Sequence, residues 1–255
     1  MGIRLDMLST DKNKKHIIAI DIGNSRMKLF NGSKVYSISN KNDIELALMD
    51  NLCNCCPSEI IYSSVNKVSE QILLGVLYRL QIPVLKAEDL IAQHTKIDFS
   101  QVTGMGTDRR LGLIAATKIV PPPIITIDFG TCITINIVDS NYKCLGGHIL
   151  PGLITQTKAL NTFTSALPQI MLNYTGELIG SNTESAINTG ILNITLKGIN
   201  AHILDICAEI FPNQQPSIIL TGGISELANK FPFTFPYKLD DSLVMKGIWG
   251  LSGKN

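Results

Sequence analysis

The chain has no surplus of either charge: 22 Lys and Arg stand against 21 Asp and Glu, a net charge of +1 over 255 residues. That balance excludes the basic stripe of a nucleic-acid binder and offers no acidic tail to a basic partner. No apolar run reaches the length of a membrane span, so no membrane partner is expected. The opening stretch MGIRLDMLSTDKNKK lacks the apolar core of a signal peptide. Position 6, where a myristoylation signal carries Ser or Thr, is Asp6. Residues 1–15 therefore read as a polar, disordered leader on a soluble, cytoplasmic protein.

Metal-ligand spacing is missing too. Cys53 and Cys56 make a C-x-x-C, but Cys132, Cys144 and Cys207 are scattered singly, and His16, His94, His148 and His202 show no ligand pattern. The six cysteines are expected to be reduced, structural thiols. There is no G-x-x-x-x-G-K-[ST] loop, and GMGTDR lacks the third glycine and the preceding strand of a dinucleotide site.

What is present is a sequence 45% apolar, enough for a well-buried core. Its first half alternates short apolar runs with amphipathic stretches. HIIAIDI reads as a buried strand, and MKLFNGSKVYSIS as two strands joined at Asn31-Gly32. A helix around 43–52, the strand IIYSSV, a helix through SEQILLGVLYRL and the strand IPVLK follow. A helix from about Asp108 to Ile119 stops before the prolines 121–123, through which no helix continues. The second half restarts with strand, turn, strand in IITIDFGTCITINIVD, then KCLGGHIL, a helix through LITQTKAL and one long amphipathic stretch over 183–211. The strand SIILTGG and a closing helix DSLVMKGIWGL complete it. A strand meander followed by alternating helices and strands, twice, predicts an α/β protein of two related lobes, each with a mixed sheet. The boundaries expected are 16–121 and 122–255.

The repeated element is IDIGNSRMK and IDFGTCIT, an acid, a glycine and a hydroxyl between two strands. Gly23 and Gly130 let an anion approach the main chain, and Asn24, Ser25 and Thr131 add donors to phosphate oxygens. Lys28 can add a cation. Asp21 and Asp128, at strand ends, can hold a metal ion directly or through water. One such turn is an ordinary hairpin; two in matching contexts give a reason to expect one polyphosphate gripped from both sides. TGGIS follows an apolar strand, and Gly222 with Gly223 leaves room for a flat nucleobase against the backbone.

The segments DIGNSRMK, GTDR, DFGTCIT, GGHILPG, GSNTESA and TGG come in the order found in type III pantothenate kinases, which the chain resembles from about His16 to its end. The resemblance implies two duplicated ribonuclease-H-like lobes of the actin-like ATPase, sugar kinase and Hsp70 group. It also implies ATP-dependent phosphorylation of pantothenate, the first step of coenzyme A synthesis, in a homodimer. Asp21, Ile22, Gly23, Asn24, Ser25, Arg26, Met27 and Lys28 match the first phosphate-binding segment, Thr131 an ATP contact, and Asp21 the magnesium site. Asp128 matches the monovalent-cation site, for potassium or ammonium. Gly106, Thr107, Asp108 and Arg109 match the pantothenate motif, with Asp108 as proton acceptor and Thr183 as a further contact. Phe99 stands where many members have Tyr, Ser25 where Thr is frequent, and Cys132 where Ala is common. The family also includes transcription accessory factors, so a non-catalytic nucleotide-binding regulator is one alternative; another small-molecule kinase of the same fold group is the second.

The chemistry of GTDR agrees with that implication. Asp108 at a helix start can take a hydroxyl proton, and Arg109 can pair with the carboxylate of pantothenate. The plainer reading of the same four residues is a helix cap, with Thr107 capping and Asp108 favoured by the dipole.

Overall fold

In the computed structural model residues 16–24, 26–39 and 43–253 are described. The leader 1–15 and Ser25 lie outside the described residues.

The first sheet grows from β1 (Ile17–Ile22), whose sequence IIAIDI is apolar at nearly every position because both of its faces are covered. It pairs antiparallel with β2 (Arg26–Phe30), which pairs antiparallel with β3 (Val35–Ser39). The Asn-Gly turn between β2 and β3 is held by Asn31, whose Oδ1 accepts from the backbone of Ser33 at 3.1 Å and of Lys34 at 2.9 Å. Helix α1 (Ile44–Cys55) leads to β4 (Glu59–Ser64), and α2 (Lys67–Leu80) leads to β5 (Val84–Lys86). β4 lies parallel to β1, and β5 parallel to β4. Asn66 caps α2 by accepting from Val68 and Ser69. Helix α3 (Ala87–His94) follows β5 without a break, and α4 (Thr107–Ile119) ends before the prolines.

The second sheet repeats the plan. β6 (Ile124–Phe129), β7 (Cys132–Val138) and β8 (Cys144–Pro151) form an antiparallel meander. After α5 (Leu153–Phe163), α6 (Thr183–Thr189) and α7 (Thr195–Ile210), β9 (Ser217–Thr221) joins parallel to β6. Helix α8 (Ser225–Ala228), β10 (Lys238–Leu239) and α9 (Leu243–Gly250) complete the order. Strand orders are β3-β2-β1-β4-β5 and β8-β7-β6-β9-β10, the same topology twice. These are the two duplicated ribonuclease-H-like lobes expected, each with a mixed sheet flanked by helices. No helix among the described residues is long and apolar enough to cross a membrane.

Each sheet has its own core. Ile18, Ile20, Leu29, Leu48, Leu73 and Leu77 are buried in the first, and Ile127, Phe129, Ile133, Leu196, Ile203 and Leu220 in the second. The units are not the continuous stretches 16–121 and 122–255 expected. The first comprises residues to Lys96, Met105–Ala115 and Ser242 onward; the second comprises Ile97–Gly104 and Ala116–Asp241. The reason is packing. α9 lays buried Leu243, Met245 and Ile248 among β1, β2 and β4, so the end of the chain belongs to the first core. Residues 97–104 are tied to the β7–β8 hairpin through Asp98, whose N–H donates to Tyr142 O at 2.8 Å and whose carbonyl accepts from Cys144 at 2.9 Å.

Three elements differ from the sequence-based expectation. The amphipathic stretch over 183–211 is not one helix: a π-helical turn at Gly190–Ile194 separates α6 from α7. α3 and β10 were not expected, since neither has the length nor the periodicity to stand out. The six cysteines are free. Cys55 is buried in α1, and that burial pushes its thiol up to about 12, so it acts as a small apolar side chain.

Candidate active site

The strand register sets the first half of the site. Asp21, the fifth residue of β1, lies opposite Lys28 of β2 and beside Ser63 of β4. The chain reverses between the paired Ile22 and Met27, where Gly23 N–H donates to Arg26 O at 3.0 Å. In the same unit the start of α4 brings Asp108 close enough for its charge to act on Asp21. Burial pushes the half-buried Asp21 carboxyl up to about 6; Lys28 pulls it down and Asp108 adds like-charge repulsion. Three of the expected site residues thus converge within one unit. They form a cation and two carboxylates, one of which is poorly solvated without a partner ion.

The GTDR segment is a helix start, with a twist on the capping expected. Gly106 O accepts from Arg110 N–H at 3.2 Å, so Gly106 holds the cap position and Thr107 is the first helical residue. The Thr107 hydroxyl does not cap; it donates to Glu88 Oε1 at 2.6 Å. Asp108 Oδ1 accepts from Arg109 N–H at 2.8 Å, and its carboxylate folds back over position 106, where an added Cβ would lie 2.6 Å from that oxygen. Glycine at 106 leaves the space the carboxylate occupies.

In the second unit Asp128 lies opposite Thr134 and beside Thr221. The turn between the paired Phe129 and Ile133 spans residues 130–132, one residue shorter than the first, and Gly130 N–H donates to Cys132 O at 3.0 Å. The acid therefore faces a hydroxyl here and a lysine in the first unit. Pro151-Gly152 of GGHILPG buttresses this turn. Gly152 N–H donates to Thr131 O at 2.9 Å, and a Cβ on Gly152 would lie 2.2 Å from Gly130 O. Thr155 Oγ1 donates to the same Thr131 carbonyl at 2.6 Å.

Gly222 has φ +100°, and a Cβ there would sit 2.3 Å from Asp128 Oδ1 and 2.6 Å from Phe129 O. A side chain at position 222 would thus meet the chain itself; at Gly223 nothing lies within 4 Å. The Phe129 carbonyl accepts from Ile224 N–H at 3.1 Å, and the Asp128 carboxylate is an oxygen donor of the type a hard cation takes. Among the described residues no group of three or more His, Cys, Asp or Glu could hold a metal by itself. Any ion at Asp21 therefore needs phosphate oxygens and water as well, which is how magnesium is usually held.

Phe99 is half-buried in the 97–104 segment of the second unit, where its carbonyl accepts from Val102. Thr183 opens α6, whose cap is a box between Asn182 and Ser185. It lines an apolar pocket of about 500 Å3 with Leu160, Leu167, Ala186, Ile187, Gly190 and Ile191. Sequence reasoning missed Glu88, Lys86 and Glu70. They are ordinary charges on short elements, and nothing in their spacing marks them.

A family model described as type III pantothenate kinase matches residues 17–204. A type III pantothenate kinase of Flavobacterium johnsoniae is 33% identical over 222 residues, covering 84% of this chain and 88% of that protein. One from Bacteroides fragilis is 31% identical over 247 residues, 91% of this chain and 95% of its own. Among solved structures, a protein described as a conserved Baf family transcriptional activator from Campylobacter jejuni superposes with a TM-score of 0.59 at 25% identity, over 92% of this chain and 97% of that one. The fold alone is shared with a protein described as a 2-dehydro-3-deoxygalactonokinase from Sinorhizobium meliloti, at TM-score 0.55 and 12% identity over 93% and 98% of the two chains. With the family model matching most of the residues, and relatives above 30% identity spanning nearly their whole length, the chain belongs to the type III pantothenate kinase family.

Proposed function

We propose that this chain is a pantothenate kinase, transferring the γ-phosphoryl group of ATP to the primary hydroxyl of pantothenate to give 4'-phosphopantothenate and ADP. The observation that carries the reading is the meeting of Asp21, Lys28 and Asp108 in one unit. Phosphoryl transfer is mostly positioning and charge neutralisation, and this group supplies both.

The roles follow from the chemistry of each side chain. Residues 21–28 and Thr131 bind the nucleotide: backbone N–H groups, hydroxyls and Lys28 face phosphate oxygens. Asp21 would help hold a magnesium ion, which would supply charge neutralisation at the phosphates. Asp128 would hold potassium or ammonium, whose charge would add to that neutralisation. Gly223 leaves the adenine room. Asp108 accepts the proton of the pantothenate hydroxyl as that oxygen attacks phosphorus, and it returns the proton to solvent after product leaves. Arg109 pairs with the pantothenate carboxylate, and Thr183 and Phe99 add contacts to the same substrate. Retention of both Asp21 and Asp108 favours catalysis over the regulator reading, which needs neither acid.

The working unit is a homodimer in this reading. Phe163, Met171, Leu178, Ile179 and Ile194 are large apolar side chains left exposed within the stretch 163–194, which also lines the pocket at Thr183. An apolar surface of that kind is ordinarily covered by another chain. The cytoplasm, where pantothenate and ATP occur together, is the compartment proposed.

The deciding experiment is coupled ADP release with ATP, magnesium and pantothenate, in potassium and in sodium. Turnover that requires pantothenate and rises in potassium is the expected result. ADP release indifferent to pantothenate overturns the substrate assignment, and equal rates in the two salts overturn the role of Asp128.

A further inference from the structure

We propose that Glu88 is a positioning residue for this reaction, fixing through Thr107 the helix end that carries Asp108. The inference rests on the kinase reading above and deepens it. It also assigns Thr107 a role different from substrate donor, because the one proton of its hydroxyl is already committed to Glu88.

Five elements converge on this contact. Tyr62 of β4 donates to Glu70 Oε1 of α2 at 2.9 Å. Lys86, the last residue of β5, reaches Glu70 at 3.4 Å and Glu88 Oε2 at 3.3 Å. Glu88 of α3 then accepts from Thr107 at 2.6 Å through its other oxygen. Arg110, one turn into α4, adds a positive charge near Glu88. Tyr62 is one residue before Ser63, the strand neighbour of Asp21, so the chain of contacts begins beside one acid of the site and ends beside the other. All of these residues lie in the first unit.

The worth of this chain is geometric. Lys86 and Glu88 are partly exposed, and an exposed ion pair adds little stability. A short charge-assisted hydrogen bond is different in kind, since it fixes one rotamer and one helix register. Thr107 stands between Gly106, which offers no side chain to stop rotation, and Asp108. Two further hydrogen bonds of this turn are local, from Arg109 N–H to Asp108 at 2.8 Å and from Arg110 N–H to Gly106 O at 3.2 Å, and neither ties the turn to another element. Without Glu88 the first turn of α4 is free to shift, and misplacing a base by about 1 Å costs on the order of a hundredfold in rate.

The test uses the full chain and five variants: Glu88→Ala, Glu88→Gln, Thr107→Ser, Thr107→Val and the Glu88→Ala/Thr107→Val pair. Two readouts are taken, steady-state kinetics and amide hydrogen exchange over residues 105–112. Glu88→Ala is expected to lower kcat by roughly 10- to 100-fold, with KM for ATP changed less than about twofold and exchange faster across the first turn of α4. Glu88→Gln and Thr107→Ser keep an acceptor and a donor and should recover most of both. The pair should be no slower than Thr107→Val alone, since both changes cut one contact. Unchanged exchange in Glu88→Ala overturns the anchor. Faster exchange with normal kcat, or losses that multiply in the pair, overturns the catalytic role. Absence of pantothenate-dependent ADP release by the unmodified chain is a failure of the kinase reading instead, and exchange still reports whether Glu88 holds the helix.

Discussion

Asp21 holds an ionised carboxylate in a place that does not suit one, and replacing it should make the ligand-free protein more stable. Its carboxyl is raised from an ordinary 3.8 to about 6, chiefly by burial. The gap of about two pH units converts, at about 1.4 kcal/mol each, to about 3 kcal/mol. Asp21 keeps part of its surface in water, so screening brings the expected figure to about 1–3 kcal/mol. The sign follows from linkage. Below 3.8 both folded and unfolded chains carry the proton and no cost exists; between 3.8 and about 6 the folded chain binds more protons than the unfolded one, so stability falls as pH rises. Above about 6 the full cost is present. Asparagine has the shape of the protonated acid and no charge. Asp21→Asn should therefore exceed the unmodified protein by about 1–3 kcal/mol in urea unfolding at pH 8, without ligand. The advantage should close as pH falls through 6 toward 4. The same variant should lose most of its kinase activity and its response to magnesium, because the charge that is costly to bury is the one a cation needs. Equal or lower stability at pH 8 would refute the desolvation argument. An advantage that persists unchanged at low pH would trace the effect to shape rather than charge.

Asp108→Asn should bind ATP and pantothenate normally by calorimetry while turning over roughly a hundred- to ten-thousandfold more slowly, the usual worth of a positioned base; retention of more than about a tenth of the rate would remove Asp108 from that role. Gly106→Ala should cost only about 1 kcal/mol of stability, yet slow turnover on the order of a hundredfold, because the new Cβ displaces the Asp108 carboxylate; a normal kcat would show that the carboxylate position seen here is not the working one. Sedimentation at micromolar concentration should give roughly twice the 27.8 kDa chain mass, and a fully active monomer would contradict the dimer.

Much of the architecture was legible because its signals are local. Ile-rich strands ending in acid-x-glycine turns announce themselves, as does Asn31-Gly32, whose side chain organises its own turn. Helix α4 stops at the prolines as read, although its cap position is Gly106 rather than Thr107. What stayed hidden depends on tertiary partners. α3 follows β5 with no Gly or Pro between them, so nothing local marks where strand becomes helix. The π-helical turn at 190–194 keeps the apolar pattern of its neighbours running and leaves no break to read. Gly222 is the instructive case at the site: a glycine between strand and helix does show that something approaches the backbone. Only the fold reveals that the something is Asp128. Glu88 is the converse, a charge without any local peculiarity whose role exists only because Thr107, 19 residues away, comes to meet it.

The return of the last helix to the first sheet bears on how the protein is made. α9 buries its apolar face among β1, β2 and β4, and a Cβ on Gly247 would lie 2.3 Å from Leu111 O, so helix and core meet without slack. During synthesis the strands that carry Asp21 wait for their cover, because the segment that seals their core, from Ser242, is made after all of the second unit. The second unit, complete once Asp241 has emerged, has all of its own parts earlier. A chain cut short after Asp241 would thus keep an intact second unit and leave the first one open. Such a product would display Ile-rich strand faces to chaperones and proteases.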